Sequence, residues 1–236
     1  MKISVIIPMY NESSIAEQTA RSLSQYMSEH FEDYEVIFFD DGSKDNCCEL
    51  VNALELPCVR ALRYEQNRGK GCAVRHGMLA AEGDIRIFTD ADLAYGMDVL
   101  SRAVEIMKED PKADMVIGSR NLGKDGYEGY TWYRKLMSKA YIKVLCTVGG
   151  FKLSDSQCGI KAFRGEAAQA VFSECQVDGF AFDFEVILRA TKKGYIISEM
   201  PVKIINHRES TVRPVRDTFK MLGDLMRIKK NIKKKG

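Results

Sequence analysis

Two carboxylates one residue apart, Asp90-Ala91-Asp92, close an apolar stretch. That spacing holds both at the mouth of a strand, near enough to share a hard divalent cation. Oxygen ligands of this kind suit Mg²⁺ or Mn²⁺, which bridge the phosphates of a diphosphate. Alone, such a pair is more often a helix N-cap beside a solvated charge, so its neighbours decide. Asp40-Asp41-Gly42-Ser43-Lys44-Asp45 joins carboxylates to a tight glycine turn. There Asp45 or Ser43 would cap the following helix, and Asp41 could accept a hydrogen bond from a nucleobase N–H. Asn67-Arg68-Gly69-Lys70-Gly71 is neither a Walker loop nor GxGxxG. Its glycines would let backbone approach phosphates, with Lys70 adding one cation.

These clusters act together only if the chain brings them to one place. Strand-like runs at 3–7, 36–39, 59–62, 85–89 and 115–117 alternate with stretches of helical composition at 13–28, 45–54, 71–81 and 98–108. That alternation predicts repeated βαβ units around a mostly parallel sheet flanked by helices, an α/β fold. Ligands of such sheets bind beyond the carboxyl ends of the strands. A polar cluster follows each of the five strands: Tyr10-Asn11-Glu12, Asp40 to Ser43, Asn67 to Gly71, Asp90 to Asp92 and Gly118-Ser119-Arg120. All five therefore point at one site.

Beyond Arg120 the pattern loosens into a Gly- and Tyr-rich loop at 123–130 and a helix over 132–148. A segment at 155–164 follows, then helices near 166–174 and 184–193, a strand over 195–205, and a loop carrying His207, Arg208 and Arg213. The closing piece, 215–232, places Phe219, Leu222 and Met226 on one helical face with Lys and Arg around them.

With 236 residues, 45% of them hydrophobic, the chain fits one sizeable domain. Seven cysteines, an odd number with no CxxC pair and no histidines at metal-ligand spacing, argue against a disulfide framework or a zinc site and for a reducing compartment. The apolar N-terminus meets Pro8 too soon for a signal peptide. No run reaches the roughly 18 apolar residues of a spanning helix, so the expectation is a protein that does not cross a membrane by itself. The net charge of +2 is uneven: from Lys203 onward 11 Lys/Arg face 3 Asp/Glu, a surplus of eight that leaves the remainder at −6. A basic end suits nucleic acid or an anionic membrane. An acidic body with no nucleic-acid motif points away from the first.

Taken together, Pro8-x-Tyr10-Asn11-Glu12, Asp41-Gly42-Ser43-x-Asp45, Arg68-Gly69-Lys70-Gly71-x-Ala73-Val74-Arg75-x-Gly77 and Asp90-Ala91-Asp92-Leu93 resemble the nucleotide-sugar half of family 2 glycosyltransferases, in order and spacing, over the first 120 residues. Gly118-Ser119-Arg120, Arg134, Ser138, the segment Asp155-Ser156-Gln157-Cys158-Gly159-Ile160-Lys161, and Phe180-Ala181-Phe182-Asp183-x-Glu185 are similar to polyprenyl-phosphate hexose synthases, so the resemblance runs to about Arg213. The 155–161 segment and Ala94 look more like the dolichyl-phosphate glucose branch than the mannose branch, which often carries Gln at the latter position.

The resemblance implies a GT-A-type, Rossmann-like catalytic domain over 1–213, with a nucleotide-sugar half (1–120), an acceptor half (121–213) and a basic amphipathic tail (214–236). Pro8, Tyr10, Glu12 and Asp41 would surround the nucleoside, with Lys70 and Ala91 also on the donor side. Asp90 and Asp92 would hold Mg²⁺ or Mn²⁺ on the diphosphate. Arg120, Arg134 and Ser138 would grip a lipid phosphate, with Arg208 or Arg213 closing over it; Asp92 and Arg120 would carry the catalysis. Phe180 and Phe182 read as core, and Asp183 and Glu185 as charges favoured by a helix N-terminus.

The implied reaction is an inverting transfer of a hexose, glucose from UDP-glucose, to polyprenyl or dolichyl phosphate. It would run on the cytoplasmic face of an anionic membrane in cell envelope biogenesis, with a membrane partner protein supplying helices that related enzymes carry. The alternatives are GDP-mannose as donor, or a saccharide hydroxyl as acceptor with Asp155 or Asp183 as its base.

Overall fold

The computed structural model describes residues 1–123, 125–126, 132–206, 225 and 228, with only the backbone of Arg134. Arg208 and Arg213 lie outside the described residues, as does most of the 214–236 segment.

Seven strands form one sheet: β1 (Ile3–Met9), β2 (Tyr34–Asp40), β3 (Val59–Arg63), β4 (Ile85–Phe88), β5 (Ala113–Ser119), β6 (Lys161–Arg164) and β7 (Ile196–Pro201). Their order across the sheet is β3-β2-β1-β4-β6-β5-β7. The first four run parallel, with Ile3 beside Tyr34 and Met9 beside Asp40 in the central pair. Strands β5 and β7 are parallel to each other. Strand β6 runs antiparallel to both β4 and β5, pairing Lys161 with Phe88 and with Ile117.

Helices cover both faces, which is why β1 and β2 read as continuous apolar runs rather than alternating ones. Successive residues of β1 still serve opposite layers. Ile3, Val5 and Ile7 pack against helices α1 (Ser13–His30), α2 (Cys47–Ala53) and α4 (Asp98–Glu109). Ile6 faces the other way, into a core with α3 (Lys70–Ala80), α5 (Trp132–Gly149), α6 (Gly165–Phe172) and α7 (Phe182–Lys192). Leu225 and Ile228, the two described residues of the 214–236 segment, are helical and buried in this second core.

The sequence reading anticipates β1 to β5 and α1 to α7 within a few residues, but it leaves 155–164 without a strand. The reason is Lys161. Its side chain is fully buried, pairs with Asp183 at the start of α7, donates to the Cys158 carbonyl oxygen at 2.8 Å and lies 5.4 Å from the centre of the Phe88 ring. A four-residue strand that begins with an inward lysine carries no apolar signature. Asp183 and Glu185 are, as expected, charges at a helix N-terminus, and each also has a cationic partner. Both stand in the first turn of α7, where Asp183 is engaged by Lys161. Glu185 accepts from Arg189 at 2.7 Å and from the amides of Gln176 and Val177 at 2.9 and 2.7 Å.

By reversing direction, β6 makes residues 154–160 enter the sheet at the edge where β4 and β5 leave it. A buried ion pair that loses one partner strands a charge in low dielectric. Lys161→Met is therefore expected to lower unfolding free energy by about 3–5 kcal/mol, measured by urea denaturation. Lys161→Met combined with Asp183→Leu should recover much of that loss.

Candidate active site

Strand β4 delivers Thr89, Asp90, Ala91 and Asp92 to the carboxyl edge, and the turn that holds them is fixed from three sides. The Thr89 amide extends the ladder onto the Ile6 carbonyl oxygen at 3.1 Å. From α1, the Thr19 hydroxyl donates to the Ala91 carbonyl oxygen at 2.9 Å. From the chain leaving β7, Asn206 Nδ2 donates to the carbonyl oxygens of both Asp92 and Leu93 at 3.1 Å. Leu93 sits at φ +48°, a left-handed conformation that L residues with branched side chains seldom adopt. Those bonds, together with Ala94 N–H on Asp92 Oδ1 at 3.1 Å, hold it there.

Lys70, the first residue of α3, forms an ion pair with Asp90. Burial alone would lower the pKa of its ammonium, but Asp90, Asp183 and Asp92 outweigh burial and raise it, so the side chain stays charged. Space at Asp90 is set by Gly159: a Cβ there would lie 2.3 Å from Asp90 Oδ2. The loop feeding α3 turns at Gly69, φ +116°, where a Cβ would meet the Asp178 carbonyl oxygen at 2.5 Å. At Gly69 only glycine serves, and at Gly159 a side chain would displace the Asp90 carboxylate.

Asp41 builds that loop. Its buried carboxylate accepts from the Tyr64 hydroxyl, from Asn67 Nδ2 at 2.8 Å, and from the amides of Arg68 and Gly69 at 2.9 and 2.9 Å. Burial first, then Asp41, pushes the Tyr64 phenol well up, so it remains a donor. The acid expected to meet a nucleobase is thus also the organiser of the Lys70 loop. Nearby, Asn11 at φ +55° ties the β1 tip to the β2 tip, its amide on Ser43 Oγ at 2.8 Å and its Oδ1 accepting from Lys44 N–H at 2.9 Å. Pro8 is buried in β1, Tyr10 is exposed, and Glu12 is partly buried at the N-cap position of α1. Asp45 accepts from the amides of Ser13 and Cys47, while the N-cap position of α2 belongs to Asn46.

On the other flank, Arg120 is only 8% exposed and turned onto Asp155, with Nε at 2.6 Å and Nη2 at 3.0 Å. Burial works against its charge, and Asp155 more than restores it. Asp155 is positioned in turn by Glu199 of β7, which takes the Ser154 amide at 2.8 Å and the Asp155 amide at 3.3 Å. Ser138 lies half-buried on α5, which also carries Arg134. The structure thus brings Pro8, Tyr10, Glu12, Asp41, Lys70, Asp90, Ala91, Asp92 and Arg120 to one sheet edge. Phe182 is core, as expected; Phe180 is 45% exposed, which corrects its reading as core. Thr19, Asn206 and Glu199 escape sequence reading, because each acts through a partner distant in sequence.

The carboxylates of this edge have the hard-oxygen chemistry that a divalent cation takes. Among the described residues no group of three or more His, Cys, Asp or Glu is poised to hold a metal. Asp90 and Asp92 would be the carboxylates to hold one, since Mg²⁺ on a nucleotide substrate needs only one or two carboxylates beside the phosphates.

A family model described as "Glycosyl transferase family 2" matches residues 4–172. A dolichyl-phosphate beta-glucosyltransferase of Dictyostelium discoideum is 31% identical, the match covering 96% of this chain and 73% of that protein. The dolichyl-phosphate beta-glucosyltransferase ALG5C of Trichomonas vaginalis is likewise 31% identical, over 94% of this chain and 69% of its own. The crystal structure of glucosyl-3-phosphoglycerate synthase from Mycobacterium tuberculosis in complex with Mn²⁺, UDP and glucosyl-3-phosphoglycerate superposes with a TM-score of 0.69 at 20% identity, covering 96% of this chain and 78% of that one. The fold is therefore GT-A-type.

Lys70→Met leaves Asp90 without its ammonium. Mn²⁺ titrated without nucleotide should then bind about tenfold more tightly than to the wild type, the scale of one screened charge a few ångströms away. UDP binding with Mn²⁺ present should weaken by a similar factor. Calorimetry reads both, and unchanged affinities would contradict the pairing.

Proposed function

Because the chain belongs to family 2 of the glycosyltransferases, we propose that it moves a hexose, glucose from UDP-glucose, onto the phosphate of a polyprenol such as dolichol, inverting the anomeric carbon. One observation carries the choice of acceptor. A sugar hydroxyl needs a carboxylate to take its proton, and the two carboxylates that the sequence offers for that are engaged by cations: Asp155 by Arg120 and Asp183 by Lys161. A lipid phosphate is already ionised at neutral pH and needs no base. The names of the relatives, dolichyl-phosphate beta-glucosyltransferases, support the same acceptor.

In this reading an oxygen of the acceptor phosphate attacks C1 of the donor sugar from the face opposite the nucleotide. The C1–O bond to UDP breaks with its electron pair leaving on the β-phosphate, and no proton is transferred. An α-linked donor thus yields a β-linked product. What remains for the protein is positioning and charge. Lys70 lies beside the leaving diphosphate, and Asp41 shapes the loop that presents it. Arg134 and Ser138, with Arg208 or Arg213, orient the acceptor. Arg120, its fork held by Asp155, contributes a fixed positive potential. Pro8, Tyr10 and Glu12 border the nucleoside. When bound by Asp90 and Asp92, Mg²⁺ or Mn²⁺ supplies Lewis-acid neutralisation of the diphosphate.

No helix among the described residues is long and apolar enough to cross a membrane. We place the protein on the cytoplasmic face of one, where lysines 229, 230 and 233–235 add attraction to anionic lipid.

The test is transfer of radiolabel to dolichyl or undecaprenyl phosphate in detergent with Mn²⁺, across UDP- and GDP-sugars. Label from UDP-glucose is expected in the organic phase, lost with EDTA and reduced at least about a hundredfold in Asp92→Ala. Label passing instead to a soluble saccharide, with none in lipid, would overturn the acceptor.

A further inference from the structure

Helix α5 buries only one side of itself. Ile142 and Leu145 are buried and Tyr141, Cys146 and Val148 pack against the second core. The opposite side is exposed and apolar: Trp132 is 77% exposed, Tyr133 59%, Leu136 57% and Met137 47%, with Val144 continuing the face. In an 18-residue helix, about 27 Å long, these residues fall on adjacent stripes one to three turns apart. Lys139 and Lys143 are exposed along their margin. The helix carries Arg134, Lys135, Lys139 and Lys143 and not one Asp or Glu. Isolated exposed apolar residues need no explanation, but a contiguous face ending in Trp and Tyr does.

From this we infer that the exposed face of α5 docks on the surface of an anionic lipid bilayer, apolar side chains entering the interface and lysines meeting the headgroups. Charge selects this occupant. A second copy would meet the face with itself across a two-fold axis, apposing Lys139 and Lys143 to lysines of the same face. The chain's own segment after Arg216 is also basic, with Lys and Arg far outnumbering its two aspartates. A negative, apolar-cored surface suits both properties at once. Trp and Tyr favour the headgroup boundary, and lysine stems extend along it with their charge in water. Ser138 lies half-buried on this same helix, so docking through the outer face would hold the acceptor end of the site at membrane level.

The inference deepens the lipid-acceptor reading and rests on it for its purpose, yet the two fail separately. Vesicle binding needs neither donor nor acceptor, and transfer in detergent needs no bilayer. The experiment is sedimentation of the full chain with phosphatidylcholine vesicles with and without phosphatidylglycerol, comparing wild type, Trp132→Ser with Leu136→Ser, and Lys139→Gln with Lys143→Gln. Wild type is expected to partition onto the anionic vesicles. The lysine pair should lose about 25-fold, roughly fivefold per charge, and the apolar pair at least about tenfold. Melting temperatures should not move, since all four side chains are exposed. Either variant binding as the wild type does would overturn the assignment. So would a wild-type dimer in solution that becomes monomeric in the apolar variant, because the face would then be a self-interface.

Discussion

Opposite charges alternate from the interior of this protein to its surface: Lys161 against Asp183, and Lys70 against Asp90 with Asp183 and Asp92 in electrostatic reach. The fold depends on that alternation. Lys161 stands on the antiparallel strand between β4 and β5 and Asp183 opens α7, so their pair ties the layer of helices to the strand that brings 154–160 to the working edge. Lys70 opens α3 and Asp90 ends β4, so the second pair joins the phosphate-approach loop to the carboxylate turn. Removing a partner from the inner pair strands a buried charge. Removing Lys70 from the outer pair exposes a carboxylate that invites another cation, and this difference separates the scaffold from the site.

The same logic fixes the shape of the edge. Asp41 saturates the amides of the Gly69 turn, Asn206 and Thr19 fix the carbonyls of the Asp92 turn, and Asp155 holds Arg120 while Glu199 holds Asp155. Preorganised charge is the larger part of what such a site contributes to a reaction whose nucleophile is already an anion. A carboxylate left free would suit a different acceptor.

Much of this was legible in the sequence, for physical reasons. Strands β1 to β5 announce themselves as short apolar runs, and each ends in polar residues that have no use inside a sheet. The glycines and aspartates of the five tips are local features, readable at their own positions. Strand β6 was not legible, because Lys161 looks polar until Asp183 is seen across the core. Nor were Asn206 and Glu199, each a single polar residue whose meaning lies in partners over 40 residues away. The expected strand at 195–205 stops at Pro201, where the chain turns to bind the Asp92 loop. Leu225 and Ile228 belong to the core, so lipid contact is better sought on α5 than in the tail alone.

The central claim is that the carboxylate turn at the end of β4 is built to receive a diphosphate through a divalent cation. Titration calorimetry of UDP-glucose into the protein, with Mn²⁺ and then with EDTA, tests it most directly. The account predicts binding with the cation and its near-complete loss without. Equal affinity under both conditions would mean that Lys70 alone receives the diphosphate and that Asp90 and Asp92 serve only to hold it.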